Sequence, residues 1–486
     1  MLGFRFASLQ DIKIIVTALT TWTPLPTIPT SKACKATFHH EAKIKAISRS
    51  IESYAAPGSS TTKSPRNLDT ALHPFERARE YTRALQATKL ERVFAAPFIG
   101  QLGLGHTDGV YSLCQKKDDV ETFASGSGDG VIKVWDLSTK NETWSTTGHE
   151  HIVKGMTWTR DGKLLTCASD RTIKLWDPTT PNNSPPLNTF LGNSAFTSLS
   201  HHRSRNIFAA SSGMNISIYD LERQGAAAET LSWPQNIDTI NRVCFNQVET
   251  SLLLSTSSDR SMVLYDLRTN TAVGRTFLNF ACNSLSWNPM EGFNAAVASE
   301  DHNVYLFDLR RTDKALNILK GHVSAVMDVD FSPTGQELVT ASYDRTVRLW
   351  EQMKGHSRDV YHTKRMQRVF CAAFTPDSKY VLSGSDDGNV RLWRAQASKR
   401  EGMMSGRQRQ ALEYNEALSN RYAHMPEIRR IKRHRHIPKV VKKAGEIKGE
   451  ELKSIKRREE NERKHTKKQF EKRRSEREKV VLAKEQ

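Results

Sequence analysis

The sequence predicts an all-β fold, a seven-bladed β-propeller, followed by an α-helical and highly basic C-terminal extension. Three observations predict it. Seven segments recur along the middle of the chain at spacings of 41 to 46 residues, near the length of a four-stranded propeller blade. A strand-like run, residues 97–104, precedes the first of them, and a closed ring needs such a strand to finish its last blade. After the last repeat the composition changes. Residues 395–486 carry 28 Lys and Arg against 14 Asp and Glu, whereas the 394 residues before them carry 44 against 39.

The elements follow in chain order. Residues 1–42 hold two acids, Asp11 and Glu41, and one arginine, Arg5, with Thr and Pro concentrated between 20 and 30. Transit peptides are rich in Arg, so a disordered extension or an uncertain start site is expected here rather than a leader. Residues 43–96 read as a flank that packs on the propeller, 97–394 as the propeller itself, and 395–486 as the extension.

Each repeat ends in an apolar–polar–apolar–aromatic run: VIKVWD, TIKLWD, NISIYD, SMVLYD, NVYLFD, TVRLWE and NVRLWR. The aromatics are Trp135, Trp176, Tyr219, Tyr265, Phe307, Trp350 and Trp393. Alternation of this kind puts one face of a strand against a core. Six residues earlier stands Asp129, Asp170, Asp259, Asp301, Asp344 or Asp387, and only the third repeat departs, with Gly213. Three repeats add a Gly-His pair, at His106, His149 and His322, 27–29 residues before their tryptophans. A buried His, a strand Ser or Thr, the turn Asp and the indole N–H can satisfy one another, as buried polar groups must. His106, Asp129, Trp135, His149, Asp170, Trp176, His322, Asp344, Trp350, Asp387 and Trp393 are therefore assigned to the blade scaffold. Blades three to five lack Gly-His and carry Tyr or Phe, so they should be the less regular ones. The pattern resembles the WD40 repeat.

Recurrence also argues against catalysis. A catalytic site is single, whereas these His-Asp constellations recur. The glycines Gly126, Gly128 and Gly130 lack the Gly-Lys-Ser ending and following helix of a phosphate loop, so they are a blade turn. Six cysteines stand singly with no C-x-x-C pair, which disfavours zinc and suits a reducing compartment. No enzyme activity, cofactor or metal is expected. No apolar run reaches the roughly 18–20 residues that span a bilayer, and no membrane partner is expected.

In the extension, a helix is expected from 399 to about 422, interrupted at Pro426. Residues 429–439 then hold six Lys or Arg, two His and no acid. Arg429, Arg430, Lys432, Arg433, His434, Arg435, His436 and Lys439 are the candidate RNA- or partner-binding residues. Such a cluster neutralises phosphates with release of counterions, and Arg stacks on unpaired bases. A nuclear localisation signal is the compatible alternative. Residues 446–486 hold 25 charged residues among 41 and read as a long solvent-bridging helix, or as a segment that folds on binding.

The flanks carry a second resemblance. HPFERAREYTRALQATKLERVFAAPF (73–98), YHTKRMQ (361–367), RHRHIPK (433–439), KIKAISRS (43–50) and SWNPMEGF (286–293) together resemble the Sof family, the suppressor-of-fibrillarin WD-repeat proteins. The resemblance implies a non-catalytic assembly factor of the small-subunit processome in the nucleus and nucleolus. Its partners would be pre-ribosomal RNA, the U3 small nucleolar RNP and other processome proteins, in support of 18S rRNA maturation and 40S subunit biogenesis. It also implies an alternative, a substrate receptor of a cullin-ring ubiquitin ligase. Asp266 and Arg268, with Asp308 and Arg310, sit in YDLR and FDLR runs that resemble the adaptor-docking boxes of such receptors, with Trp replaced in both.

Overall fold

A four-stranded blade cannot bury both of its faces alone, so its stability comes from neighbours stacked in a ring. In this computed structural model, which describes residues 69, 71–223, 229–231, 238–399, 402–470 and 473–485, the repeats fold into seven antiparallel sheets. The expectations for residues 1–42 and for the motif at 43–50 lie outside the described residues.

The first blade runs Val110–Gln115, Thr122–Ser127, Val131–Asp136, Glu142–Thr147, and the others repeat that meander. Second strands such as Thr122–Ser127 and Leu164–Ala168 are almost wholly buried because a neighbouring blade covers each face. Third strands keep the predicted alternation: Ile132, Val134 and Trp135 are buried and Lys133 is not. Ile132, Val134, Trp144, Val153 and Trp176 form the core between the first two blades. Each fully buried large side chain contributes about 1.5–3 kcal/mol. Polar staples join neighbouring blades: Trp158 donates to the Cys114 carbonyl at 3.3 Å, and Trp287 to that of Cys244 at 3.0 Å.

The ring closes where the sequence placed the closure. Phe98–Gln101 pairs antiparallel with Val390–Arg394, setting Phe98 opposite Trp393 and Gln101 opposite Arg391. The last sheet thus combines the start of the ring with its end. In the first blade's tight turn Gly130 has φ +80°, and a Cβ there would lie 1.9 Å from the His149 carbonyl oxygen, so only glycine fits.

The chain divides into two compact units, residues 1–80 with 403–414 and residues 81–402 with 415–486. Of the first, the described residues include the start of the helix Glu76–Val93 and the first half of the helix Gly406–Arg421. The second holds the propeller and most of the extension.

The extension differs from expectation in three ways. Its first helix begins at Gly406 rather than 399, and Pro426 opens a new helix, Pro426–Arg433, instead of only ending the old one. Proline is pre-set for a first helical turn, where no amide donor is needed. The long helix is Lys439–His465, and beyond it only a 3-10 turn, Lys467–Phe470, and one short helical turn, Glu476–Lys479, follow instead of a continuous helix. A turn capped by Ser475 leads through Glu476–Lys479 into a strand, Val481–Glu485, laid on blade four.

Candidate nucleic-acid and partner interface

The scaffold constellation is complete in two blades. His149 bonds Asp170 at 2.8 Å and Thr166 at 2.8 Å, and Trp176 donates to the same Thr166 hydroxyl at 2.9 Å. His322 bonds Asp344 at 2.8 Å and Thr340 at 2.7 Å, and Trp350 donates to Thr340 at 2.9 Å. Burial pushes both imidazoles below their ordinary pKa against the pull of their aspartates, and despite its own burial Asp344 is held well below the usual carboxylate range, chiefly by His322.

The other blades differ. In blade one, His106 and Trp135 share Ser125 at 2.6 and 2.7 Å, but Asp129 is taken by the Thr107 hydroxyl and the Val131 amide, and His106 Nδ1 has no hydrogen-bond partner. In blade seven, Trp393 donates to Ser383 at 2.8 Å while Asp387 pairs with Arg391. In blades four and five, Asp259 pairs with Arg275 and Asp301 accepts from the Tyr305 hydroxyl. These are local contacts within the blade turns, where Asp129 is exposed and Asp259, Asp301 and Asp387 are half-buried, and they sit around the ring rather than in one cleft. Among the described residues no group of His, Cys, Asp and Glu is placed to hold a metal ion, and no helix is long and apolar enough to cross a membrane.

The flank motifs, scattered in sequence, converge. Arg92 from the N-terminal flank donates to Asp359 Oδ1 at 3.0 Å and to the Lys432 carbonyl at 3.0 Å. Arg358 donates to Asp359 Oδ2 at 3.1 Å, and Arg435 lies 4.0 Å from the same carboxylate. His436 packs on His362 with ring centroids 5.2 Å apart. Tyr361 anchors this joint to blade seven by stacking on Trp393 and donating to the Arg394 carbonyl. Beside it, Ala84, Leu418 and Ile428 form a small core flanked by Tyr81, Leu85 and Tyr422. Thus the three motifs around Arg92, Tyr361 and Arg435 build the socket that holds the extension.

That socket divides the eight basic-cluster candidates. Lys432 and Arg435 are half-buried and engaged internally, Lys432 with the Ser419 carbonyl and Arg435 with Asp359 and the Lys432 carbonyl. Arg429, Arg430, Arg433, His434, His436 and Lys439 remain exposed. The helix Pro426–Arg433 explains the split: Ile428 faces the small core, and Arg429, Arg430 and Arg433 project outward. What this surface offers chemically is a set of fixed guanidinium and imidazole donors suited to phosphate oxygens.

The two DLR runs lie at the ends of the third strands of blades four and five. Arg268 and Arg310 are held by their own Asp266 and Asp308 at about 3.1 Å, and both keep most of their surface, 76% and 63% of the side chain. Arg310 also lies over the Phe293 ring at 4.4 Å, within the SWNPMEGF motif. The Arg92–Asp359 joint and the final strand were missed from sequence. The strand had a signal, the apolar run Val480-Val481-Leu482-Ala483 after a charged stretch.

Comparison with known proteins adds the following. A Sof1-like domain model matches residues 395–481. A WD-domain, G-beta-repeat model matches 99–136, 140–177, 313–351 and 353–394, the four blades that carry Trp, and leaves the Tyr and Phe blades unmatched. The chain is 48% identical to Protein SOF1 of Saccharomyces cerevisiae over 449 residues, 87% of this chain and 91% of that protein. It is 50% identical to Protein sof1 of Schizosaccharomyces pombe over 403 residues, 83% and 91% of the two chains. It is 42% identical to the DDB1- and CUL4-associated factor 13 of Danio rerio over 435 residues, 87% and 96% of the two.

Proposed function

The chain belongs to the Sof1-like family of WD-repeat proteins, and on that premise we propose that it is a non-catalytic scaffold of ribosome biogenesis. In this reading it is an assembly factor of the small-subunit processome, associated with the U3 small nucleolar RNP in the nucleolus and needed for pre-rRNA processing to 18S rRNA. The propeller docks on proteins, and the basic extension runs along pre-ribosomal RNA. The observation that carries the reading is the socket at Arg92, Asp359 and Arg435: it fixes a segment of net charge +14 to the ring while leaving Arg429, Arg430 and Arg433 facing outward. The test is a variant with these three arginines changed to Glu, followed by co-sedimentation with large pre-ribosomal particles. The expected result is loss of the variant from the particle fractions with the ring still folded. Normal co-sedimentation would remove the extension from the account.

A second reading rests on a separate observation. Relatives named DDB1- and CUL4-associated factor 13 share 42% identity with this chain, and Arg268 and Arg310 are exposed and oriented. In that reading the two guanidiniums contact a ubiquitin-ligase adaptor. Changing both to Ala should reduce adaptor binding in a pull-down, and full binding by a folded double variant would dismiss it.

A further inference from the structure

Blade four is the one described sheet with five strands. Val481–Glu485 adds antiparallel to its outer strand Thr271–Leu278, with Arg275 opposite Glu485, Thr276 opposite Lys484, Phe277 opposite Ala483 and Leu278 opposite Val481. The approach to the strand is fixed as well. Val480 is 4% exposed and packs with Leu278 and its neighbours in the core between blades four and five. Asn279 Nδ2 donates to the Lys479 carbonyl at 3.0 Å, the Ala315 amide donates to the Arg477 carbonyl at 3.2 Å, and Lys320 pairs with Glu476. Beneath the added strand, buried Arg275 is held between Asp259 and the Phe277 ring, with Glu485 3.9 Å from its other nitrogen.

The same stretch of chain is held at its other end. Lys448 Nζ bonds His302 Nδ1 at 3.0 Å and the His322 carbonyl at 3.2 Å, seating the helix Lys439–His465 on blades five and six. Between the two anchors, Lys479 pairs with Glu459 at 2.7 Å and Lys456 with Glu476 at 3.4 Å, so the outgoing and returning limbs are drawn together. Exposed at the far end are Arg457, Arg458, Lys464, Lys467, Arg473 and Arg474.

We infer that the outer edge of blade four is a strand-addition site whose occupant is this chain's own C-terminal segment, and that this addition is a releasable clamp holding the basic extension as a closed loop on the ring. Main-chain pairing supplies the attachment and the Val480 pocket supplies its register. The clamp is the weak end of the fold. It is five residues long, Leu482 on its outer side is 62% exposed, and its ion pairs lie at the surface, where such pairs add little. Release would free the 38 residues after Lys448, which reach at most roughly 130 Å when fully extended. It would also bare an edge that a partner's strand could take. The clamp is a property of the folded chain and stands whether or not the extension touches RNA.

The test uses the full chain with Val480→Asp, and with Leu482→Asp as a solvent-side control of equal charge. Val480→Asp is expected to speed amide exchange across Thr271–Leu278 and tryptic cleavage near Arg473 and Arg474 by about tenfold or more, the factor that about 1.4 kcal/mol of lost packing produces. Exchange in blades one and two should not change, and Leu482→Asp should behave as the parent. In a second experiment, a labelled peptide of residues 475–486 is added to the chain lacking them. The peptide should bind by fluorescence anisotropy, and its Val480→Asp form should not. Unchanged exchange in Thr271–Leu278, failure of the peptide to bind a truncated chain of normal unfolding midpoint, or a loss of protection spread over blades one and two would each overturn the clamp.

Discussion

Replacing Thr340 by Val is expected to destabilise the propeller by about 2–6 kcal/mol without leaving a cavity. Thr340 is fully buried, and its hydroxyl accepts from Trp350 Nε1 at 2.9 Å and bonds His322 Nε2 at 2.7 Å, with a longer contact of 3.4 Å to the Arg348 carbonyl, itself a ladder group. Valine has nearly the same volume, so packing changes little, but two buried polar groups lose their partner. Each such loss costs about 1–3 kcal/mol. Ser383 in blade seven is the internal control. It is equally buried, but its hydroxyl serves Trp393 alone, with no His bonded to it. Ser383→Ala should therefore cost about half as much, about 1–3 kcal/mol. Equilibrium urea unfolding followed by tryptophan fluorescence measures both. If Thr340→Val costs less than Ser383→Ala, or less than about 1 kcal/mol, the constellation is not the cooperative network argued for it.

Three further outcomes are expected. His106 is held down to about 4, first by burial and then by Lys133, against 6.5 when unfolded, so the unfolded chain takes up its proton first and stability falls as pH drops from about 6.5 toward 4. At pH 5 the cost from this group is about 2 kcal/mol, and His106→Gln should flatten the pH dependence of the urea midpoint by that amount; equal slopes would contradict it. Arg92→Ala should cost about 1 kcal/mol, because Arg92 is a third exposed, and should speed amide exchange in Pro426–Arg433 but not in the blades. Changing Arg429, Arg430 and Arg433 together to Ala should lower the slope of log affinity against log salt for single-stranded RNA by about 2, as three lost phosphate contacts require, read by filter binding across a salt series.

The ring was legible in the sequence because its signals are local and repeated. The alternation through Trp135, Trp176, Trp350 and Trp393, the in-phase aspartates and the closing run before Gly105 each appear within a few residues, and the structure puts them where that pattern requires. The departures were only partly legible: Asp259 and Asp301 turn to Arg275 and Tyr305 where no Gly-His is present, but blades one and seven, which carry Trp, also depart, with Asp129 bonded to Thr107 and Asp387 paired with Arg391. The socket was not. Arg92 meets Asp359 across 267 residues and the Lys432 carbonyl across 340, and no periodicity reports a pairing of that range. The basic cluster was legible as a composition but not as a surface, because burial of Lys432 and Arg435 depends on that same socket. The final strand was overlooked because its five residues follow a stretch dominated by charge, and an added edge strand shows itself only when the edge it joins is known.

In the proposed function the extension meets pre-ribosomal RNA while the ring holds it in place. In-cell crosslinking of the full chain, with sequencing of the attached RNA fragments and mapping of the crosslinked peptides, tests it most directly. The expected fragments are enriched in pre-18S and U3 sequence and are attached through peptides that contain Arg429, Arg430 and Arg433. Absence of such enrichment, or crosslinks confined to the blades, would contradict it.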